Sequence, residues 1–522
     1  MSEKKDNKDL FQNSSQRRRA KEDLEKKATR KTRITALIIV LALVIVSAGA
    51  ILINSNFLRR NAVAVTVGDV KFSAAEFDYF YYSAYQEYAS YIQEQLPDLA
   101  ASILPNRQFS FKSQVYDPET GETWADVFQA SALESMQQTV KIYAEAKNAN
   151  HTLSDEEAEK LNADIENLSG SAILYGYTSF DQYLTANYGR AMTQDLFREL
   201  MTIVYTANSY ASYVNDAFTY TNEALDKHYD ENADRFDIFT YRYFLVNSET
   251  PEIADDATEE EKEAANAEAL AAAGVRANEI MERIEKSGDI EAAYIEEARN
   301  YNPESYAEAD STLRHYNGEI LGSPYGDWLR EPRTEGDLAT FEITTGYYVV
   351  YFGNRSANDY ETTSMRQILV KRDDFDLGDY EGGEDDPAYL EAFKLVDNLA
   401  RTEADAAYAA FIAAGATEEK LLELMPEYSD DQVEGGLYEG IYKWQMVPEV
   451  NDWLFAPARK VGDSELVRTE SYGYHLMYFM GTGREYRHVI AESDIRKVDY
   501  DAWATALPVS EATTHWALRL AK

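Results

Sequence analysis

The residues best equipped for bond-making chemistry are few and scattered. Six histidines occur in 522 residues, and none falls in an HExxH pattern or a close pair that would hold zinc. Cysteine is absent, which excludes disulfides, thiolate metal ligands and a cysteine nucleophile. The sequence has no glycine-rich phosphate loop and no serine-nucleophile motif. The acidic stretch from Asp373 to Asp386, DDFDLGDYEGGEDD, misses the calcium-loop register, because its glycine falls a position early and no glutamate closes it. It reads as a solvated loop, and neither a metal nor a cofactor is expected. Tyrosine, by contrast, is abundant at 39 residues. A tyrosine offers a wide apolar face, a polar tip and little rotamer entropy to lose on contact. That chemistry is non-covalent: a groove for unfolded polypeptide, with helix-packing core the plainer role for most single tyrosines.

The elements that would position such groups are organised by a duplication. DWLREPRTEGDLATFEITTGYYVVYF, starting at Asp327, aligns with DWLFAPARKVGDSELVRTESYGYHLMYF, about 125 residues further on at Asp452. Upstream, Tyr241-Arg242-Tyr243-Phe244-Leu245-Val246 matches Met365-Arg366-Gln367-Ile368-Leu369-Val370 at almost the same offset. The period is too long for a solenoid repeat, so a whole domain is written twice. In the second copy Tyr474, Leu476 and Tyr478 alternate with His475, Met477 and Phe479, the pattern of a strand.

Before the duplicated block the chain is helical. Val63, Val65 and Val67 alternate ahead of a Gly68-Asp69 turn, which predicts a small hairpin. Ser73 and Glu76 form a capping box. Phe77, Tyr81, Ala84, Tyr88 and Tyr91 follow at helical spacing as one aromatic face. Further helices are expected over 128–146, 180–184 and 192–214, with a cap at Ser154-Asp-Glu-Glu157. The alanine-rich acidic segment 251–273 reads as a solvent-facing helical insertion, and a helix is expected around Val498 to Leu507.

Residues 1–33 carry twelve Lys/Arg against six Asp/Glu, and Ile34 to Ile53 is an uncharged run of twenty residues. That length crosses a hydrocarbon core of ~30 Å as a helix. The basic flank keeps the short tail in the cytoplasm and exports the rest. Ala48-Gly49-Ala50 offers a signal-peptidase site, but the apolar run continues past it, which favours an uncleaved anchor. The formal net charge of −42 argues against nucleic acid, whose binders must neutralise phosphates with Lys and Arg.

With hairpin, helical region and duplicated block assembled, the chain resembles an extracytoplasmic foldase of the PrsA/SurA type. The resemblance runs from about Val63 to the C-terminus and is strongest in the second copy, where QMVPEVNDWLF, VGDSELV and YGYHLMYF follow EGGL. It implies a multidomain α+β protein: a cytoplasmic basic tail (1–33), a transmembrane helix (34–54) and a helical SurA-N-like chaperone domain (60–235). Two parvulin-like α+β domains follow (236–356, degenerate, and 360–482), and a tail (483–522) packs back on the chaperone domain. Parvulins are peptidyl-prolyl isomerases, and their site usually pairs a first-strand histidine with a last-strand one beside a Cys or Asp. Here the resemblance implies His475 for the last-strand histidine and Asp430 or Asp431 for the acid. Gln367 stands where the first-strand histidine is missing. Met446, Val450, Leu454 and Phe455 would line the proline pocket. In the first copy Tyr243 and Tyr348 replace both histidines and no methionine matches, so that copy is expected to bind or to space rather than catalyse. His315 matches no family position and is expected at the surface.

The function implied is a membrane-anchored extracytoplasmic foldase acting on unfolded or proline-containing exported polypeptides, with isomerase activity in the second module. A non-catalytic holdase on the same scaffold, and a surface scaffold or adhesion protein reusing the modules as spacers, are the alternatives.

Overall fold

The computed structural model describes residues 56–521 apart from 252–253, 255–256, 323, 373–379, 381–382 and 384–385, together with 18–19, 21–22, 31, 34–47 and 49. Residues 34–47 are helical and exposed. Most of the remainder of the apolar run, like most of the Asp373 to Asp386 stretch, lies outside the described residues. Among the described residues no helix is long and apolar enough to cross a membrane. The protein is mixed α and β and divides into two compact units, Met1–Phe218 with Asp499–Lys522, and Thr219–Val498.

The first unit opens on the hairpin of β1 (Val63–Val67) and β2 (Val70–Ser73), turned at Gly68 with φ +55°. Val65 and Val67 of β1 are fully buried and Val63 half-buried, and a short strand near the C-terminus, Ala512–Thr514, pairs antiparallel with its free edge. Long helices follow at Ala74–Gln95, Trp124–Asn148, Asp155–Leu174 and Gln194–Ala217. Between the first two lies a small ribbon of β3 (Val115–Asp117) and β4 (Glu122–Thr123). Each start is chemically marked: capping boxes close at Ser73/Glu76, Thr123/Asp126 and Ser154/Glu157, and the Thr193 hydroxyl alone caps the fourth helix, satisfying amide donors that have no helical partner. The aromatic face of the first helix divides. Phe77 and Tyr81 are core, Tyr88 packs half-buried, and Tyr91 is 60% exposed.

The second unit contains two four-stranded antiparallel sheets of the same order. One is built from β5 (Ile238–Asn247), β6 (Leu313–Asn317), β7 (Leu338–Ile343) and β8 (Gly346–Ser356), with β5 and β8 central. The other uses β9 (Glu361–Lys371), β10 (Leu437–Ile441), β11 (Ser464–Arg468) and β12 (Gly473–Glu485), with β9 and β12 central. Tyr241 of β5 and Met365 of β9, the aligned positions, both lie on central strands. Because side chains alternate along a strand, each sheet buries two faces. Phe244, Val246 and Val349 meet one helical layer in the first sheet, as Ile368, Val370 and Leu476 do in the second. The opposite faces carry Tyr241, Val350 and Phe352 in one, Met365, Met477 and Phe479 in the other. The strand closing the first unit, Ala512–Thr514, is β13.

The alanine-rich segment 251–273 is solvent-facing, as expected: its described residues as far as Ala272 are exposed or half-buried. It belongs to the helix Glu259–Glu285, whose C-terminal half buries Ala273, Gly274, Ala277, Ile280 and Ile284 against the first sheet. The acidic first turns hide this packing face in the sequence. Gly274 lets the Tyr347 ring pack close, because a Cβ would stand 2.8 Å from it and the ring would have to shift. The C-terminal helix is also longer than expected, at Tyr486–Ala506.

Candidate functional site

The site residues of the second module are held by its two central strands. In β9 and β12 Gln367 lies directly opposite Met477 and His475 opposite Leu369, so Gln367 and His475 are diagonal neighbours on one face. The Gln367 amide donates from Nε2 to Asp431 Oδ2 at 2.7 Å. A carboxylate only accepts, which fixes the amide orientation and leaves Oε1 facing His475 Nδ1 at 2.8 Å. Nδ1 therefore carries the proton and donates it. The other ring nitrogen, Nε2, lies 3.0 Å from the Thr469 hydroxyl, which donates to it. Asp431 also accepts from the Tyr438 hydroxyl at 3.1 Å and from the Val433 amide at 3.0 Å. One polar chain thus runs Tyr438, Asp431, Gln367, His475, Thr469.

Burial decides its electrostatics. His475, Gln367 and Thr469 are all buried. Removal from water disfavours the imidazolium and pushes the His475 pKa down to about 4, against the smaller opposing pull of Asp431 and Glu449. Burial and the Asp431 carboxylate push the Tyr438 phenol up to about 12. At neutral pH the chain therefore contains a neutral imidazole held in one tautomer.

Asp430 and Asp431 separate. Asp430 is exposed and accepts from the Lys371 amide at 2.9 Å, tying down the end of β9 rather than joining the polar chain. On the same sheet face, Val450 and Leu454 of the helix Pro448–Leu454 are buried against Met365, Met477 and Phe479, with Met446 and Phe455 half-buried around them. Tyr438 and Thr469 were not legible in advance. Thr469 sits in the turn six residues before His475, and only the closing of that turn brings it to the ring.

The first module has aromatic rings at the matching place. Tyr243 lies opposite Val350 and Tyr348 opposite Leu245, the same diagonal, and their rings meet edge to face at 5.4 Å. Tyr325 stacks on Tyr243 at 5.6 Å, and the Arg314 guanidinium lies over it at 4.9 Å. His315 is not a bare surface residue: it contacts Thr240 Oγ1 at 2.9 Å and stacks on Trp444 at 4.9 Å. Among the described residues no group of three or more His, Asp or Glu is placed to hold a metal.

The cavities among the described residues include one of about 470 Å³ in the first unit and one of about 760 Å³ in the second. Neither is lined by Met446, His475 or any other residue of the polar chain.

No family model and no curated protein matches the chain. Among solved structures it is similar to the crystal structure of PrsA from Bacillus subtilis, at 14% identity over 47% of this chain and 79% of that one, with a TM-score of 0.16. A score that low carries no argument, and the functional reading stands on the geometry above.

Proposed function

We propose that the protein is an extracytoplasmic foldase, anchored by its N-terminal apolar run, that holds unfolded exported polypeptides and isomerises X–Pro bonds in its second module. The observation that carries this reading is the pairing of His475 and Gln367 on the sheet face that also bears the apolar cluster of Met365, Val450 and Leu454. Rotation about an X–Pro bond breaks no covalent bond. It crosses a barrier of ~18–20 kcal/mol and takes tens of seconds or more unaided. A site accelerates it by seating the pyrrolidine ring in an apolar surface and surrounding the amide with fixed dipoles that favour the twisted form.

In this reading Met446 and Phe455, two of the half-buried members of the cluster, meet the proline ring, and Val450 and Leu454 support them from beneath. Gln367 and Thr469 are positioning residues: each satisfies one nitrogen of His475 and keeps the ring from turning. His475 supplies a neutral dipole rather than a charge. Asp431 anchors the chain, with Tyr438 completing its coordination. The reading is tested by a proline-limited refolding assay with the full chain. Acceleration that is lost in His475→Ala supports it, and refolding at the uncatalysed rate rejects isomerase function.

The Tyr243–Tyr348 contact favours a second reading, a holdase without catalysis, for the first module. A pair of phenol rings there offers apolar area and edge-to-face contacts but no imidazole. Suppression of client aggregation by a His475→Ala protein would assign holding and isomerising to different parts of the chain.

A further inference from the structure

The cavity of about 470 Å³ in the helical unit is lined by Tyr81, Tyr82, Arg107, Phe109, Phe111 and Lys112, among others. It is built by a pinned loop. Phe111 is buried against Tyr85 and Phe128, and Gln114 Nε2 donates to the carbonyls of Asn106 and Phe109 at 2.9 and 3.3 Å. Arg107 is fixed too. Its Nη2 donates to the carbonyls of Ala186 and Asn187 at 2.9 Å each, and its guanidinium lies over Tyr82 and Tyr85 at 5.4 and 5.7 Å. Its Nε and Nη1 make no protein hydrogen bond among the described residues. Phe109 is held 64% exposed at the mouth, although an aromatic ring of that size gains by being buried.

The local charge runs against that of the whole molecule. In a chain of net charge −42, the lining contributes the cations Arg107 and Lys112. Burial and then the Asp78 carboxylate push the phenol of the lining residue Tyr82 up to about 12, with Arg107 and Arg59 pulling the other way. Against them stands Asp78, buried beneath Gly189. Arg59 Nε is itself buried and without a partner. A preformed cationic cavity with aromatic walls selects an anion attached to something apolar.

We propose that this cavity binds the carboxylate of an extended polypeptide, with the neighbouring apolar side chain laid on Phe109 and Tyr82. Arg107 and Lys112 provide the charge. The carboxylate belongs to a chain terminus or to an acidic side chain, and both present the same group. The inference rests on the foldase reading only for the polymer that carries the carboxylate. Direct peptide binding and catalysed refolding are separate measurements, so one can fail without the other.

The test is fluorescence anisotropy of the full chain with three dye-labelled peptides: Ala-Ala-Phe as the free acid, the same peptide amidated, and amidated Ala-Glu-Phe. Binding of the free acid at least tenfold tighter than its amide supports a terminal carboxylate. Tight binding of the amidated glutamate peptide, with the plain amide weak, supports the side-chain source. In either case Lys112→Gln, an exposed position, and Arg107→Gln should each weaken the carboxylate peptide about fivefold or more and leave the plain amide unchanged. Equal binding of all three peptides, or no binding, overturns the proposal. So does a Lys112→Gln protein that retains full affinity, whatever the folding of the Arg107→Gln variant.

Discussion

His475 Nδ1 stands 2.8 Å from Gln367 Oε1, and this contact uses the imidazole proton. The histidine is therefore held at both nitrogens, by Gln367 on one side and Thr469 at 3.0 Å on the other. A glutamine can do this because its amide accepts at one atom and donates at the other. It passes the Asp431 carboxylate on to the histidine as an oriented dipole, beside the direct pull of that charge, which burial outweighs.

Gln367→Leu should uncouple the chain. It leaves Asp431 and the buried His475 short of one partner each, and an unsatisfied buried polar group costs about 1–3 kcal/mol. Urea denaturation should show a loss of that size with the m-value unchanged. Gln367→His should cost less, because an imidazole can keep one of the two contacts.

The pH dependence has a definite sign. The folded-state pKa of His475 is pushed down to about 4 by burial, whereas an unfolded histidine titrates near ~6.5. Between these values the unfolded chain binds the extra proton, so stability rises with pH. The contribution is fully present above pH ~6.5 and is lost as pH falls towards 4, by roughly 3 kcal/mol in all. Wild-type stability minus that of His475→Gln should fall across this window. A difference independent of pH between 4 and 7 would remove the buried neutral imidazole from the account.

Gly436 and Gly440 form a matched pair on either side of Tyr438. Both have positive φ, +53° and +65°. A Cβ at Gly436 would lie 2.3 Å from the Gln367 carbonyl oxygen, whereas one at Gly440 meets nothing within 4 Å. Gly440→Ala should cost about 1–2 kcal/mol for the left-handed conformation. Gly436→Ala adds a backbone clash worth about 1–3 kcal/mol more, and it should displace β9 beneath Gln367. Thermal melts of the two variants order them directly.

Ser73→Ala tests the start of the first long helix. Its hydroxyl and the Glu76 carboxylate close a reciprocal pair of contacts with the backbone, at 3.3 and 2.7 Å. Removing the hydroxyl should cost about 0.5–2 kcal/mol, read from the melting of the first unit.

What could be read in advance was local and periodic. The Ser73 box, the Gly68 turn and the two-residue alternation around His475 each depend on neighbours within a few positions, and each stands in the structure. The Tyr241 and Met365 alignment placed two central strands because a duplicated sequence carries its register with it. Choosing between Asp430 and Asp431 was beyond the sequence. The two are adjacent, and the path of the chain after the helix Glu418–Tyr428 decides which carboxylate reaches Gln367. Thr469, Tyr438 and the His315–Trp444 stack depend on contacts that no spacing encodes. Gly274 was hidden for a similar reason: the ring that packs against it, Tyr347, lies on a strand far along the chain.

The most direct test is exchange NMR on a short proline peptide with the full chain, which reads cis–trans interconversion without any folding reaction. The wild-type protein should speed exchange at least tenfold, with His475→Ala and a Met446→Ala, Phe455→Ala double variant each losing most of that gain and Asp430→Asn losing none. Exchange at the uncatalysed rate with the folded wild-type protein, or acceleration that survives His475→Ala, would contradict it.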